Sequence, residues 1–334
     1  MTTLIEFGKR AGMAALLAAT LWTPALAWEP TKPVEIIVPA GAGGASDQMA
    51  RVLQNAIGKH KLMKQPVIIQ LKGGSSGGEG IMDAKISAGD PHKILIAHSA
   101  IYTLPLATDL AFSWRDLTPV ALIAMDEFIL WVNSDTPYKT TQEYLAAVKA
   151  KPEAFKMGGT GSKREDHIIT AAIEKAQNVK FTYIPYKSGG EISTQLVGKH
   201  IDSDVNNPSE SVAQWRAGQV RTLCVFDSKR MPFKAKVTSD QSWGDIPTCK
   251  ESGLDVEYLM LRGIFLPGGA TADQTAFYVD LFKKIVATPE WREYVDTNAL
   301  KETFLTGADF RKFLEEDEKR HRELMTSAGF VSVK

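Results

Sequence analysis

The sequence predicts an α/β protein with mainly parallel sheets, long enough for two domains, and three observations carry that expectation. Strand-period and helix-period segments alternate along the chain, which is the pattern of βαβ units. The 334 residues, 44% of them hydrophobic, suffice for two well-buried cores. Three glycine- or hydroxyl-rich turns each stand where a helix-period segment begins.

The elements follow in order. Residues 33–38 (PVEIIV) read as a buried strand, after which Met49, Val52, Leu53, Ala56 and Ile57 recur at helical spacing. Residues 66–71 make a second strand, followed by the glycine-rich KGGSSGGEG and a short helix through 81–86. Segments 94–97, 120–124 and 128–132 are further strands. From Thr140 the pattern turns helical, and 155–158 opens a second strand-to-helix unit. Strand-like VKFTYIPY, helix-like EISTQLVG and strand-like HIDSDV and VRTLCVF continue it. Near the end Phe277, Leu281 and Ile285 sit four apart, and a charged helix covers about 310–325.

The N-terminus has the three regions of a secretory signal peptide: basic Lys9 and Arg10, the apolar run AGMAALLAATLW, and small-residue Ala25-Leu26-Ala27. This predicts cleavage after Ala27 and an exported, extracytoplasmic chain starting at Trp28. The run is short for the roughly 20 residues of a membrane span. Removing Glu6, Lys9 and Arg10 turns 39 basic and 39 acidic residues into 37 and 38. A net charge near zero excludes a broad electrostatic footprint for nucleic acid or anionic membrane, so any anion preference is local. The two cysteines, Cys224 and Cys249, are compatible with a disulfide in an oxidising compartment or with two buried thiols, and sequence does not choose between them.

The first turn, VPAGAGGASD over 38–47, is a candidate anion seat. Its glycines let backbone amides approach a ligand, and a helix N-terminus presents unpaired N–H groups carrying partial positive charge. Ser46 is placed to cap that helix, with Asp47 in its first turn. In the second turn, GGTGSKRED, Ser162 and Glu165 fit a capping box. Lys163 and Arg164 there oppose the helix dipole unless solvent or an anion compensates, and an Arg fork can hold a carboxylate through two parallel hydrogen bonds. The plain alternative is two solvated surface residues. The third turn, YKSGGE, repeats the capping pattern with Ser188 and Glu191.

Enzyme motifs are incomplete. A dinucleotide fingerprint from Gly41 fails at Ser46, and GTGSK lacks the ending of a phosphate-binding loop. Gly74-Ser75-Ser76-Gly77-Gly78 matches a hydrolase nucleophile elbow between strand and helix, with Ser76 as the nucleophile. His167, His200 and His321 are its nominal bases, but nothing local specifies a triad. Asp202, Asp204 and Asn206 start a calcium-loop spacing that Asn207 and Ala213 break. No metal and no cofactor are expected.

Taken as a set, these segments resemble the solute-binding proteins of tripartite tricarboxylate transporters, the Bug or TctC type. VPAGAGGASD is similar in kind and length to a VPFPPGGSTD-type first loop, and GGSSGGEGIMDAKISAGDPHKILI to the glycine-rich segment after it. PYKSGGEISTQLVGKHID, RAGQVRTLCVFDSKR, DIPTCKESG and GIFLPGGATAD follow in the family's order, so the resemblance covers essentially the whole mature chain. It implies a two-lobed, type II-like periplasmic-binding-protein fold, with 28–130 plus 252–334 in one lobe, 131–251 in the other and a ligand cleft between them. It also implies a monomeric receptor, not an enzyme, that hands a small carboxylate to a membrane permease. That ligand would be a di- or tricarboxylate, aliphatic or aromatic, such as terephthalate. Carried over, the ligand-binding residues are Ala40, Gly41, Ala42, Gly43, Gly44 and Ser46 in the first loop and Thr160, Gly161 and Ser162 in the second. Ser99 and the Asn206-Asn207 pair match more loosely, while Arg164 and Ser188 join from the turn chemistry above. Two departures stand out: Ala-Gly-Ala replaces a common Phe-Pro-Pro, and the second loop is two residues longer before His167. Serving a signalling partner instead of a permease is the remaining receptor-type alternative.

Overall fold

The computed structural model describes residues 28–332; the signal-peptide expectation for 1–27 lies outside them. Val34–Val38 (β1) buries Val34, Ile36, Ile37 and Val38 completely, as a strand covered by helices on both faces must. It leads into Ala45–Lys59 (α1), whose Met49, Leu53, Ala56 and Ile57 turn one face onto the sheet. Val67–Leu71 (β2), Gly78–Ile86 (α2), Lys93–Ala97 (β3), Ala100–Ala107 (α3) and Leu117–Asp126 (β4) follow. The chain then builds a second sheet. Its elements are Ile129–Asn133 (β5), Thr141–Ala150 (α4), Lys156–Thr160 (β6), Glu165–Gln177 (α5), Thr182–Tyr186 (β7), Gly189–Val197 (α6), Ser203–Asp204 (β8), Pro208–Arg216 (α7) and Val220–Val225 (β9). Finally it rejoins the first sheet through Met260–Pro267 (β10), Ala272–Val286 (α8), Pro289–Asn298 (α9), Lys301–Thr306 (β11) and Gly307–Ser327 (α10).

The strand orders are β11-β4-β10-β3-β1-β2 and β7-β6-β8-β5-β9, giving the two-lobed α/β architecture expected. Both sheets are mixed, where mainly parallel ones were expected. The βαβ strands pair in parallel (β2-β1-β3 and β7-β6-β8), whereas β10, β4 and β11, and β5 with β8 and β9, pair antiparallel. The reason is the crossing between sheets: the chain leaves the first sheet by β4 and re-enters it by β10 at the same end, Met260 opposite Asp126, and enters the second by β5 and leaves it by β9, Ile129 opposite Val225, so each of these pairs runs antiparallel. The segment HIDSDV contributes only the two residues of β8. Strand β10 escapes a periodicity reading because Arg262 and Gly263 interrupt its apolar run.

Two crossovers join the lobes side by side, with the Phe226 N–H donating to the Phe128 carbonyl at 2.9 Å. Cys224 and Cys249 form a disulfide at the start of the returning crossover, their Cα atoms 4.8 Å apart. In the second lobe Trp131, Trp215 and Trp243 pack together, with ring centroids 4.7 to 6.4 Å apart. The Trp243 indole N–H donates 3.1 Å to the Thr297 carbonyl of α9, in the first lobe. Among the described residues no helix is long and apolar enough to cross a membrane.

Candidate functional site

Four helices begin around one point between the sheets: α1 from the first lobe and α5, α6 and α7 from the second. Their first residues line a cavity of about 30 Å³, with room for a water or two, which adjoins a groove of about 590 Å³. Each N-terminus carries unpaired N–H groups and partial positive charge, so four together form a strong local attraction for anions. Acidic side chains of the protein already answer it. Gly43 N–H donates 2.9 Å to Asp47, Thr160 N–H 2.5 Å to Asp166, and Lys187 N–H 3.1 Å to Glu191. Glu210 serves two helices at once. One oxygen accepts from Asn207 N–H at the start of its own α7 (3.1 Å), and the other from Ala45 N–H at the start of α1 across the cleft (3.0 Å).

Two ion pairs complete the wall. Arg262 donates to Asp126 from Nε (2.9 Å) and Nη2 (2.5 Å), to Ser46 Oγ from Nη1 (2.8 Å) and to Asn207 Oδ1 from Nη2 (3.3 Å). Arg164 donates from Nε to Glu165 and from Nη1 to the Ser76 carbonyl, both at 3.1 Å, while its Nη2 lies 3.2 Å from His98 Nε2. Glu165 in turn lies 3.0 Å from His98 Nδ1. Burial and the Arg164 charge push the His98 pKa down, so the ring stays neutral. Burial opposes the Glu165 charge, yet Arg164 and His98 hold that carboxyl well below the usual range. Burial pushes Asp166 up to about 8 against the Thr160 N–H, with Glu210 and Glu165 adding to the rise. It pushes Glu210 up to about 6 against the Ala45 N–H.

The residues singled out from sequence divide between these spaces. Ala40, Gly44, Ser46, Thr160, Arg164 and Ser188 line the cavity; Gly41, Gly161 and Ser162 line the groove, which Ala40 and Arg164 share. Ala42 and Gly43 fall in neither lining. Ser99 is fully buried, its hydroxyl without a hydrogen-bond partner. Asn206 stands behind the wall, its amide donating 2.9 Å to the Gly189 carbonyl, and Asn207 faces the cavity in its place.

Three local expectations change. Ser46 is not the cap of α1: Gly44 holds the N-cap position and the Ser46 hydroxyl accepts from Arg262. Ser162 forms no capping box, because Gly161 and Lys163 take left-handed φ values of 67° and 56° and carry the turn two residues further, leaving Arg164 at the N-cap of α5. Arg164, 5% exposed, is a buried network residue and not a solvated surface one. Ser188 does cap its helix, accepting from Glu191 N–H at 3.4 Å. His98, Asp166, Glu210 and Arg262 were not singled out. A signal existed for Glu210, since Asn207-Pro208-Ser209-Glu210 is a capping box with proline at its first helical position.

Ser76 sits in the groove with left-handed φ 57°, and the glycine after it is there for contact between loops. A Cβ on Gly77 would come within 2.6 Å of the Pro39 carbonyl. The nominated bases are engaged elsewhere: His167 stacks on Tyr183 at 3.9 Å, and His321 is 2.8 Å from the Tyr258 hydroxyl. His200 follows the far end of α6.

The family model described as "Tripartite tricarboxylate transporter family receptor" matches residues 49–330. The chain belongs to that family. Among its relatives is a UPF0065 protein in the gbd 5′ region of Cupriavidus necator, 29% identical over 98% of both chains. The receptor's fold is that of the periplasmic binding protein BugD, with TM-score 0.82 at 23% identity, covering 90% of this chain and 99% of that one. A Rhodopseudomonas palustris protein solved with adipate superimposes with TM-score 0.83 at 20% identity, covering 91% and 99%.

Proposed function

We propose that this protein is a periplasmic receptor that captures a small molecule bearing two or more carboxylates and delivers it to a tripartite-type membrane permease, without chemical conversion. The observation that carries this reading is the convergence of four helix N-termini on one cavity, an arrangement that favours negative charge. Membership of the family supports it, and so does the adipate bound to a protein of the same fold. The proposed lobes are 28–130 with 252–334, and 131–251. The proposed contacts are backbone N–H groups of 40–46 on one side, with Thr160 from the cavity and Gly161 and Ser162 from the groove on the other. A ligand held by both lobes favours the closed arrangement, because only closure offers both sets of contacts.

A thermal-shift panel on residues 28–334, refolded to strip any carried-over ligand, tests it with succinate, adipate, citrate, terephthalate and their neutral amides. At one hundred times its dissociation constant a ligand adds about 2.7 kcal/mol, a shift of several degrees. The expected result is stabilisation by one acid class and none by its amide. A flat panel on refolded protein would remove the carboxylate reading.

A further inference from the structure

The carboxylate at the start of α1 belongs to the protein itself, and it comes from the opposite lobe. Glu210 reaches across the cleft to Ala45 N–H, within the loop proposed above to receive a ligand acid group. We propose that Glu210 is a built-in stand-in for the ligand's carboxylate, which the incoming acid displaces, so that carboxylate capture is coupled to uptake of a proton by Glu210. The inference rests on the receptor reading above.

The geometry allows no simultaneous occupancy. The cavity holds a water or two, and Glu210 forms part of its wall. A ligand carboxylate donated to by Ala45 N–H would lie beside the Glu210 carboxyl, and two carboxylates sharing a small buried site cannot both stay ionised. Glu210 keeps its other acceptor bond to Asn207 N–H at its own helix start, so it can yield the Ala45 donor without becoming an orphan.

No other group facing Glu210 is free to take up that proton in its place. Arg262 is paired with Asp126, and Arg164 with Glu165. His98 is held neutral, and buried Asp204 is pushed well above the usual carboxylate range. Tyr294 stays protonated, because burial pushes its hydroxyl well above the usual phenol range. Asp166 titrates near 8 and Glu210 near 6, so Glu210 is the group poised to change charge on binding at neutral pH.

Gly189 provides a second handle. A Cβ there would come within 2.0 Å of the Glu210 carboxyl, the free end of a flexible side chain. Gly189→Ala therefore pushes Glu210 off the seat while leaving its charge intact.

The experiment is titration calorimetry with adipate, citrate and terephthalate at pH 6.0 and 7.5, in buffers of different ionisation enthalpy, on wild type, Glu210→Gln and Gly189→Ala. Wild type is expected to take up close to one proton per ligand at pH 7.5 beyond the ligand's own titration, and to lose at least fivefold in affinity from pH 6.0 to 7.5. Glu210→Gln, carrying no titrating group, is expected to change by less than twofold beyond that common ligand titration and to bind tighter than wild type at pH 7.5. Gly189→Ala is expected to flatten the wild-type dependence in the same direction. Binding without proton uptake in wild type, or an unchanged pH slope in Glu210→Gln, would overturn the stand-in role while leaving carboxylate binding intact. No binding of any acid by any of the three proteins would overturn the carboxylate reading itself, and this inference with it.

Discussion

Asp166 is 5% exposed, accepts from Thr160 N–H, and holds its proton up to about pH 8. In the unfolded chain an aspartic acid releases its proton near pH 3.9. Between those values the folded state binds the extra proton, so stability falls as pH rises, by up to about 1.4 kcal/mol per pH unit, and levels off above 8. Asp166→Asn keeps an acceptor for Thr160 without the titration. Urea midpoints from pH 4 to 9 should show the variant matching wild type near pH 4 and exceeding it increasingly towards pH 8; parallel curves would mean the acid is ionised throughout. At this scale, what sequence revealed depended on distance along the chain. The Ser188 cap was readable because its donor is three residues away. Glu210, His98 and Arg262 were not, because the groups that give them meaning stand 165, 67 and 136 positions away. The second turn misled for a local reason: two left-handed residues moved the helix start past Ser162.

Among elements, the βαβ portions were readable from hydrophobic period, since β1 is a continuous apolar run and α1 repeats at helical spacing. The antiparallel strands were harder, and β10 hardest, because it carries a buried arginine whose partner Asp126 lies on the neighbouring strand β4. The disulfide sits where β9 ends and the return to the first lobe begins. It closes a loop over a sequence separation of 25, for which chain entropy gives about 3 kcal/mol. Both sulfurs are in the core, so the double variant Cys224→Ala with Cys249→Ala tests the bond with little added polarity. Its melting temperature should drop by several degrees, with ligand affinity within about twofold of wild type because the bond lies outside the cavity lining. An unchanged melting temperature would assign the pair no role in stability.

Across the whole molecule, closure is secured by polar contacts spread over the cleft. Glu210 to Ala45 is joined by Gln48 Nε2 donating 3.0 Å to the Ser209 carbonyl, Arg164 to the Ser76 carbonyl at 3.1 Å, and Gly41 N–H to the Lys187 carbonyl at 3.4 Å. Hydrogen bonds of this kind are worth about 1 kcal/mol each and are offset by the entropy of ordering the facing loops, so a ligand's contacts to both lobes decide the balance. Solution scattering should find a smaller radius of gyration with saturating diacid than without it; equal radii would argue against large closure. The tryptophan cluster gives that motion an optical signature. Trp243 belongs to a nest of three indoles in one lobe, yet its N–H is held by a carbonyl of the other. Opening the cleft would surrender that bond to water and shift the emission to the red, so a fluorimeter could follow each catch and release in the unlabelled protein.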